Sequence, residues 1–405
     1  MRVVLVSTHT DQTTGYSKVA HNLLSQISGV SGIKLFHFGF QRHPSRVGMR
    51  KAPANVIQYD AAANEDPKED GFGFNKIAEY LDMVNPDIVM IYNDPLIVHK
   101  FIESMKHERD TAPYKLWVYV DQVYEGIAQP LIDMINKHAD RIYCFTQKWA
   151  DIYRKYSGEC PEIRILGHAV DPKIFNRLAP EVRRGVRANM KLPDNAIVLL
   201  NMNRNSQRKR LDLNIMAFAG LLAKNPDKPY YALFVTNINP KSGAYYDINR
   251  IYGAELVRQG LSIETHGSRL LIVDTAPPNA LTDEVINQIY NAADIGINTS
   301  DGEGFGLCQL EHLYVGAPQI VTDVGSYSSF LTPEVASFIP SNGRVYCSGG
   351  MPLGFFTPQF DVAETTKVME TTIQSLSTMK KAAADFKFET WDEVCADLVS
   401  SLANQ

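Results

Sequence analysis

Only five of the 405 residues are cysteine, and Cys144, Cys160, Cys308, Cys347 and Cys395 are scattered with no Cys-x-x-Cys pair. That excludes a disulfide framework or a zinc ribbon and fits reduced thiols in a cytoplasmic protein. The opening apolar run is only Val3 to Val6 before Ser7, too short for a signal peptide or a membrane-spanning helix. No Asp-x-Asp occurs, so the usual carboxylate clamp for a metal-bound diphosphate is missing. His168 has no second His or Cys at ligand spacing, and no metal site is expected. Internal repeats and low-complexity tracts are also absent. The net charge of −5 argues against a dedicated nucleic-acid binder.

What is present is the composition of a folded protein, 45% hydrophobic and 21% charged, in a chain longer than one core usually holds. Two domains are therefore expected. Val3–Val6, a polar loop to Gly15, and a helix from Tyr16 to Ile27 read as the opening of a doubly wound α/β domain. Further buried strands are predicted at 33–40, 87–92, 116–120, 141–146 and 163–166, with helices over 74–83 and 148–156. Residues 172–193, with three prolines and a basic run, read as an interdomain connection. A second Rossmann-like domain then begins near Ala196. Its strands are expected at 196–200, 231–236, 270–273, 293–300 and 319–323, and its helices over 211–222 and 281–291. Residues 341–360 read as a loop, and Trp391 lies in a last amphipathic helix.

The most informative stretch is Asp301-Gly-Glu-Gly-Phe-Gly-Leu-Cys-Gln-Leu-Glu311. It follows a strand and opens a helix, so the turn at Gly304, Phe305, Gly306 and Leu307 offers backbone N–H groups and a positive dipole end to a phosphate. Glu303 sits on the turn and Glu311 about two helical turns below its start. Each carboxylate can accept two hydroxyl hydrogen bonds, which suits the diols of a ribose or hexose. A second loop after a strand, Asn201 to Arg210, carries Arg204, Arg208, Lys209 and Arg210. In such sheets this end faces the ligand.

The Glu-Gly-Phe-Gly-x-x-x-x-Glu spacing resembles the donor-site motif of family 4 retaining glycosyltransferases. The resemblance extends over nearly the full length, and its specific part lies between about residues 201 and 327. It implies the α/β GT-B architecture, with two Rossmann-like doubly wound domains facing a central cleft. These would be residues 1–171 on the acceptor side, rejoined by a C-terminal helix at 388–405, and residues 172–387 on the donor side.

Carried over, Glu303 faces the transferred sugar, Gly304 to Leu307 hold the diphosphate, and Glu311 holds the ribose. Arg204 and Lys209 are aimed at the diphosphate, while Arg208 and Arg210 look like neighbours rather than ligands. Leu281 and Thr282 would contribute to the base pocket, and Gly15 matches the Gly-rich loop between donor and acceptor, with Thr14 where the family often has a second glycine. Many members carry a His at the strand end where this chain has Val120-Asp121, so that role cannot be transferred. The family closes its first domain with a Gly-Val-Asp string resembling Gly167 to Asp171.

The resemblance implies transfer of a hexose with retained anomeric configuration and no metal or other cofactor. GDP-mannose is the first-choice donor, ahead of UDP-glucose or UDP-N-acetylglucosamine, and the acceptor is a glycan or glycoprotein. Similar glycosyltransferases encoded by large algal DNA viruses (chloroviruses) would place the activity in the host cytoplasm. Residues 42–51 carry Arg42, His43, Arg46, Arg50 and Lys51. They are either a solvated loop or a basic rim that steers a phosphate-bearing acceptor or touches a membrane surface. The rival readings are a non-catalytic nucleotide-sugar binder and a nucleotide-sugar 2-epimerase on the same fold. A dehydrogenase is excluded, since Gly302-x-Gly304-x-Gly306 lacks the dinucleotide spacing.

Overall fold

A computed structural model describes residues 1–44, 50–66, 68, 70–107, 109, 111–126, 129–347 and 355–404. The chain divides into two compact units. The first comprises Met1–Ala169 and Glu389–Gln405, the second Val170–Cys347 and Phe356–Phe388. Each is a parallel sheet flanked by helices.

In the first unit the strands are β1 (Arg2–Thr8), β2 (Lys34–Phe40), β3 (Val56–Asp60), β4 (Ile88–Asn93), β5 (Lys115–Val120), β6 (Arg141–Cys144) and β7 (Glu162–Ile165). Their order is β3-β2-β1-β4-β5-β6-β7, all parallel, with Val3 level with both Leu35 and Ile88. Val3, Val4, Leu5 and Val6 are buried on both faces, which is why this run reads as unbroken apolar residues rather than an alternation. The order reverses between β1 and β4, and that switch point is where such sheets take ligands. The helix Gly15–Ser28 starts there, its Thr14 side chain accepting from the Ser17 N–H. The last helix, Trp391–Ala403, opens with a reciprocal Thr390–Glu393 capping box. It is tied to this unit by Arg164, whose Nη1 reaches Asp397 at 2.8 Å and Ser401 at 2.7 Å. His168 is buried among Tyr92, Tyr119, Phe145 and Trp391. Burial pushes its imidazole down to about 3, in keeping with the structural role expected of it.

The second unit contains β8 (Ile197–Asn201), β9 (Tyr230–Thr236), β10 (Leu270–Asp274), β11 (Ile295–Asn298), β12 (Gln319–Thr322) and β13 (Ala336–Ile339), in the order β10-β9-β8-β11-β12-β13. Again all pairs are parallel, and the switch point lies between β8 and β11. The helix Leu211–Lys224 packs its Leu213, Phe218, Leu221 and Leu222 into this unit's core.

Several expectations need correcting. The stretch 172–193 is not only a connection: Pro180–Asn189 is a helix, seated by arginines rather than by an apolar face. Residues 341–360 are not simply a loop, because β14 (Gly343–Cys347) and β15 (Phe355–Gln359) pair as a two-stranded sheet; residues 348–354 lie outside the described ones. Strand β3 and the helices Pro95–Met105, Gln129–His138 and Ile248–Arg258 were not anticipated. Among the described residues, no helix is long and apolar enough to cross a membrane.

Candidate functional site

Two loops leave neighbouring strands at the switch point of the second sheet, one after β8 and one after β11. The first folds into a 3-10 turn, Gln207–Lys209, ended by Arg210 at φ 46. This turns Lys209 inward to 8% side-chain exposure, where its ammonium contacts the Glu303 carboxylate of the second loop. Arg208 comes within 4.0 Å of the same carboxylate and donates to the Gly302 carbonyl at 2.6 Å. Arg208, expected to be a neighbour rather than a ligand, fastens the turn that carries Glu303. Arg210 instead pairs with Asp212 at 3.0 Å. Arg204 is exposed on the loop's surface.

Glu303 is also approached by Asn298 Nδ2 at 3.3 Å and by the Tyr327 hydroxyl at 3.5 Å. Asn298, the last residue of β11, further donates to Asn203 and Gln309 at 3.2 Å and meets the Tyr327 hydroxyl at 2.6 Å. Spacing in the sequence gave no sign of Asn298, Gln309 or Tyr327, which come from the strand end, the following helix and the short helix Tyr327–Phe330 after β12. Burial acts to raise the Glu303 carboxyl, but the charges of Lys209 and Arg208 overcome it and hold it at about 2. Burial also lowers the Lys209 ammonium, to about 8, with Glu303 opposing that fall.

The turn itself depends on glycine. Gly306 has φ +100 and precedes the helix Leu307–Tyr314, whose start no side chain caps. A Cβ at Gly306 would lie 2.3 Å from Tyr327 Cε1, and one at Gly325 would lie 2.0 Å from the Glu303 carbonyl oxygen. We expect Gly306→Ala to cost about 1–3 kcal/mol of stability from the strained backbone, and to displace Tyr327 from Asn298. Thermal unfolding read beside nucleoside diphosphate binding checks it, with both falling together.

Glu311 is buried, 2% exposed, and accepts a hydrogen bond from Tyr290 at 2.8 Å. Thr282 serves as a helix cap, accepting from the Val285 N–H at 3.2 Å, so the helix begins at Asp283, two residues later than expected, with Leu281 just before the cap. Gly15 belongs to the first unit, where the Tyr16 hydroxyl next to it hydrogen-bonds Asp121. The structure thus joins Lys209 and Glu303 directly and sets the Gly304–Leu307 turn beside them. Among the described residues no cluster of His, Cys, Asp and Glu is arranged to hold a metal ion.

No family model matches the chain. It is similar to D-inositol 3-phosphate glycosyltransferase 2 of Catenulispora acidiphila, 28% identical over 203 residues, which is 49% of this chain and 43% of that protein. The chain thus spans less than half the length of this curated relative. Among solved structures it superposes on sucrose-phosphate synthase from Thermosynechococcus elongatus with a TM-score of 0.72 at 16% identity, covering 100% of this chain and 98% of the other. It also superposes on Anabaena HepE in complex with UDP and glucose, with a TM-score of 0.66 at 12% identity over 100% of both chains. The fold is α/β of the GT-B class, with two Rossmann-like domains.

Proposed function

We propose that the chain is a glycosyltransferase that moves a hexose from a nucleoside diphosphate to a hydroxyl acceptor, without a metal and with retained anomeric configuration. The observation that carries this reading is the buried Lys209–Glu303 pair at the carboxyl ends of β8 and β11, beside the uncapped start of Leu307–Tyr314. Cleaving a sugar–diphosphate bond leaves growing negative charge on the leaving phosphate. Fixed cations and oriented amides stabilise such charge by several kcal/mol. Lys209 and Arg204 take the cationic role, and the Gly304–Leu307 amides the dipolar one. Glu303 orients the sugar hydroxyls, and Glu311 the ribose. Leu281 and Thr282 border the base, and Gly15 serves the acceptor side.

Two donors compete. The string Asn203-Arg204 followed by Arg208-Lys209 resembles family 4 members that use GDP-mannose, whereas a structural neighbour was solved with UDP and glucose. A viral origin rests on the sequence resemblance alone. Membrane contact through residues 42–51 rests on the basic run alone; Arg46 lies outside the described residues.

Incubating the protein with GDP-mannose, GDP-fucose, UDP-glucose and UDP-N-acetylglucosamine in EDTA, and measuring nucleoside diphosphate release, tests the reading. One donor should be turned over slowly to water even without acceptor, and its diphosphate should stabilise the fold through linkage, by about 2.7 kcal/mol at a hundredfold excess over Kd, read as a rise in melting temperature. Activity lost in EDTA and regained only with a divalent ion would overturn metal independence. Binding without turnover across an acceptor screen would leave the non-catalytic binder.

A further inference from the structure

Three donors converge on one oxygen of Glu303. The Lys209 ammonium, Asn298 Nδ2 at 3.3 Å and the Tyr327 hydroxyl at 3.5 Å all meet Oε2, whereas Arg208 stands 4.0 Å from Oε1. Oε2 is thus the anchored oxygen. Tyr327 is wholly buried, and its ring lies against the glycine turn, where a Cβ on Gly306 would meet its Cε1. The preceding residue ties the same segment to the turn, the Ser326 N–H donating to the Gly304 carbonyl at 3.1 Å. The Tyr327 hydroxyl carries one proton and has two acceptors in view, Gln309 Oε1 at 2.9 Å and Glu303 Oε2 at 3.5 Å. Asn298 Nδ2 donates to the hydroxyl oxygen at 2.6 Å, and Asn298 is itself oriented by the Ser300 N–H, which donates to its Oδ1 at 2.9 Å.

We propose that Tyr327 is a positioning residue for the transferred sugar: its hydroxyl takes over Glu303 Oε2 when Lys209 turns to the diphosphate, and so keeps Oε1 aimed at a sugar hydroxyl. The inference rests on the transferase reading above and deepens it at the same site. A diphosphate draws the ammonium away from Glu303, and a buried carboxylate that loses its cation must find another donor. The phenolic proton reaches it by rotation about the C–O bond. A charged acceptor forms a stronger and shorter bond than the neutral amide of Gln309, roughly 2.6 Å for a hydroxyl on a carboxylate. The Glu303 side chain, released by the ammonium, closes the remaining gap. Burial, and then the charge of Glu303, push the Tyr327 hydroxyl well above its ordinary value, so it keeps its proton over the working pH range. Ring and hydroxyl therefore have separate tasks. The ring shapes the turn whose amides face the phosphate, and the hydroxyl holds the carboxylate that faces the sugar.

Tyr327→Phe keeps the ring and removes the hydroxyl. Calorimetric titration of the intact chain with GDP and UDP, and with GDP-mannose and UDP-glucose, reads the two tasks apart, because the free nucleotides carry no sugar for Glu303 to hold. Whichever intact donor the wild type binds should bind Tyr327→Phe about tenfold more weakly, the effect of losing one hydrogen bond to a charged group. Its free nucleoside diphosphate should bind as before. A second comparison does not need that variant to fold alone: in a Glu303→Ala background, adding Tyr327→Phe should leave the affinity for intact donor unchanged, since the hydroxyl acts through the carboxylate. Equal weakening of donor and free diphosphate, weakening of neither, or a further tenfold loss in the Glu303→Ala background would each overturn the proposal. Slow donor hydrolysis is scored separately. If the wild type cleaves a donor and Tyr327→Phe shows no such selectivity, only this inference fails. If the selectivity is found and no donor is ever cleaved, only the transferase reading fails. If the wild type binds none of the four ligands, both fail.

Discussion

Lys209→Ala is expected to reduce nucleoside diphosphate release from the cognate donor by a factor of about 100 to 1,000, the usual consequence of removing one fixed stabiliser of a developing anion. Two effects compete in this variant. Loss of the ammonium leaves Glu303 buried with Arg208 at 4.0 Å as its nearest remaining cation. Breaking a buried pair from one side costs about 3–5 kcal/mol of stability. Asn298 and Tyr327 still approach the carboxylate, so we expect the lower end of that range. A Glu303→Gln protein, whose own rate falls because Glu303 orients the sugar, is the reference, since it keeps the cation for the phosphate. If the ammonium stabilises the leaving group, Lys209→Ala loses turnover at temperatures far below its melting point, and the Lys209→Ala, Glu303→Gln double variant regains stability yet stays slower than Glu303→Gln alone.

A pH profile distinguishes this further. The Lys209 ammonium, lowered to about 8 mainly by burial, loses its charge as pH rises through that value. Donor capture should therefore fall above about pH 8 in the wild type, and a Lys209→Arg protein, whose guanidinium stays charged, should hold its affinity there. A flat wild-type profile to pH 9.5 would remove Lys209 from the phosphate site.

What could be read from the sequence follows from what each part is made of. The central strands were legible because burial on both faces demands runs such as Val3–Val6. The turn at 303–307 was legible because a backbone at φ +100, packed against a tyrosine ring, admits only glycine. Strand β3 was not, since its residues Val56–Asp60 lie at an edge of the sheet with no fully buried position to mark them. Nor was the role of Arg208. Four cations in seven residues look alike until the 3-10 turn sends one to a carbonyl, one to Glu303 and one to Asp212. Within the basic run at 42–51, the partners of Arg42 could not be read either: Asp11 and Asp60 come from the loop after β1 and the end of β3.

The same blindness to distant counter-charges hid a buried polar anchor of the second unit, and it yields the largest stability effect expected here. Asp294, 7% exposed, receives Arg183 at 2.9 Å, Arg187 at 3.3 Å, Lys380 at 2.5 Å and the Val198 N–H at 3.0 Å. Arg187 is only 2% exposed and also donates to the carbonyls of Ala292, Ala196 and Pro193. Asp294→Ala would strand that guanidinium inside the protein, at a cost of about 3–5 kcal/mol. In a domain of this size that lowers the melting temperature by about 10 °C. Arg183→Gln, at a side chain 33% exposed, should cost no more than about 1 kcal/mol. Burial works to raise the Asp294 carboxyl, but the Lys380 ammonium, the Val198 N–H and Arg183 bring it below its ordinary value. A carboxyl whose folded pKa is depressed contributes its stability above the unfolded value and loses it as pH falls through the folded one. The gap between wild type and Asp294→Asn, measured by urea unfolding, should thus be widest near neutral pH and shrink below about pH 4. If the gap stays constant from pH 7 to pH 3, the charge on Asp294 is not what holds the helix Pro180–Asn189 to the sheet.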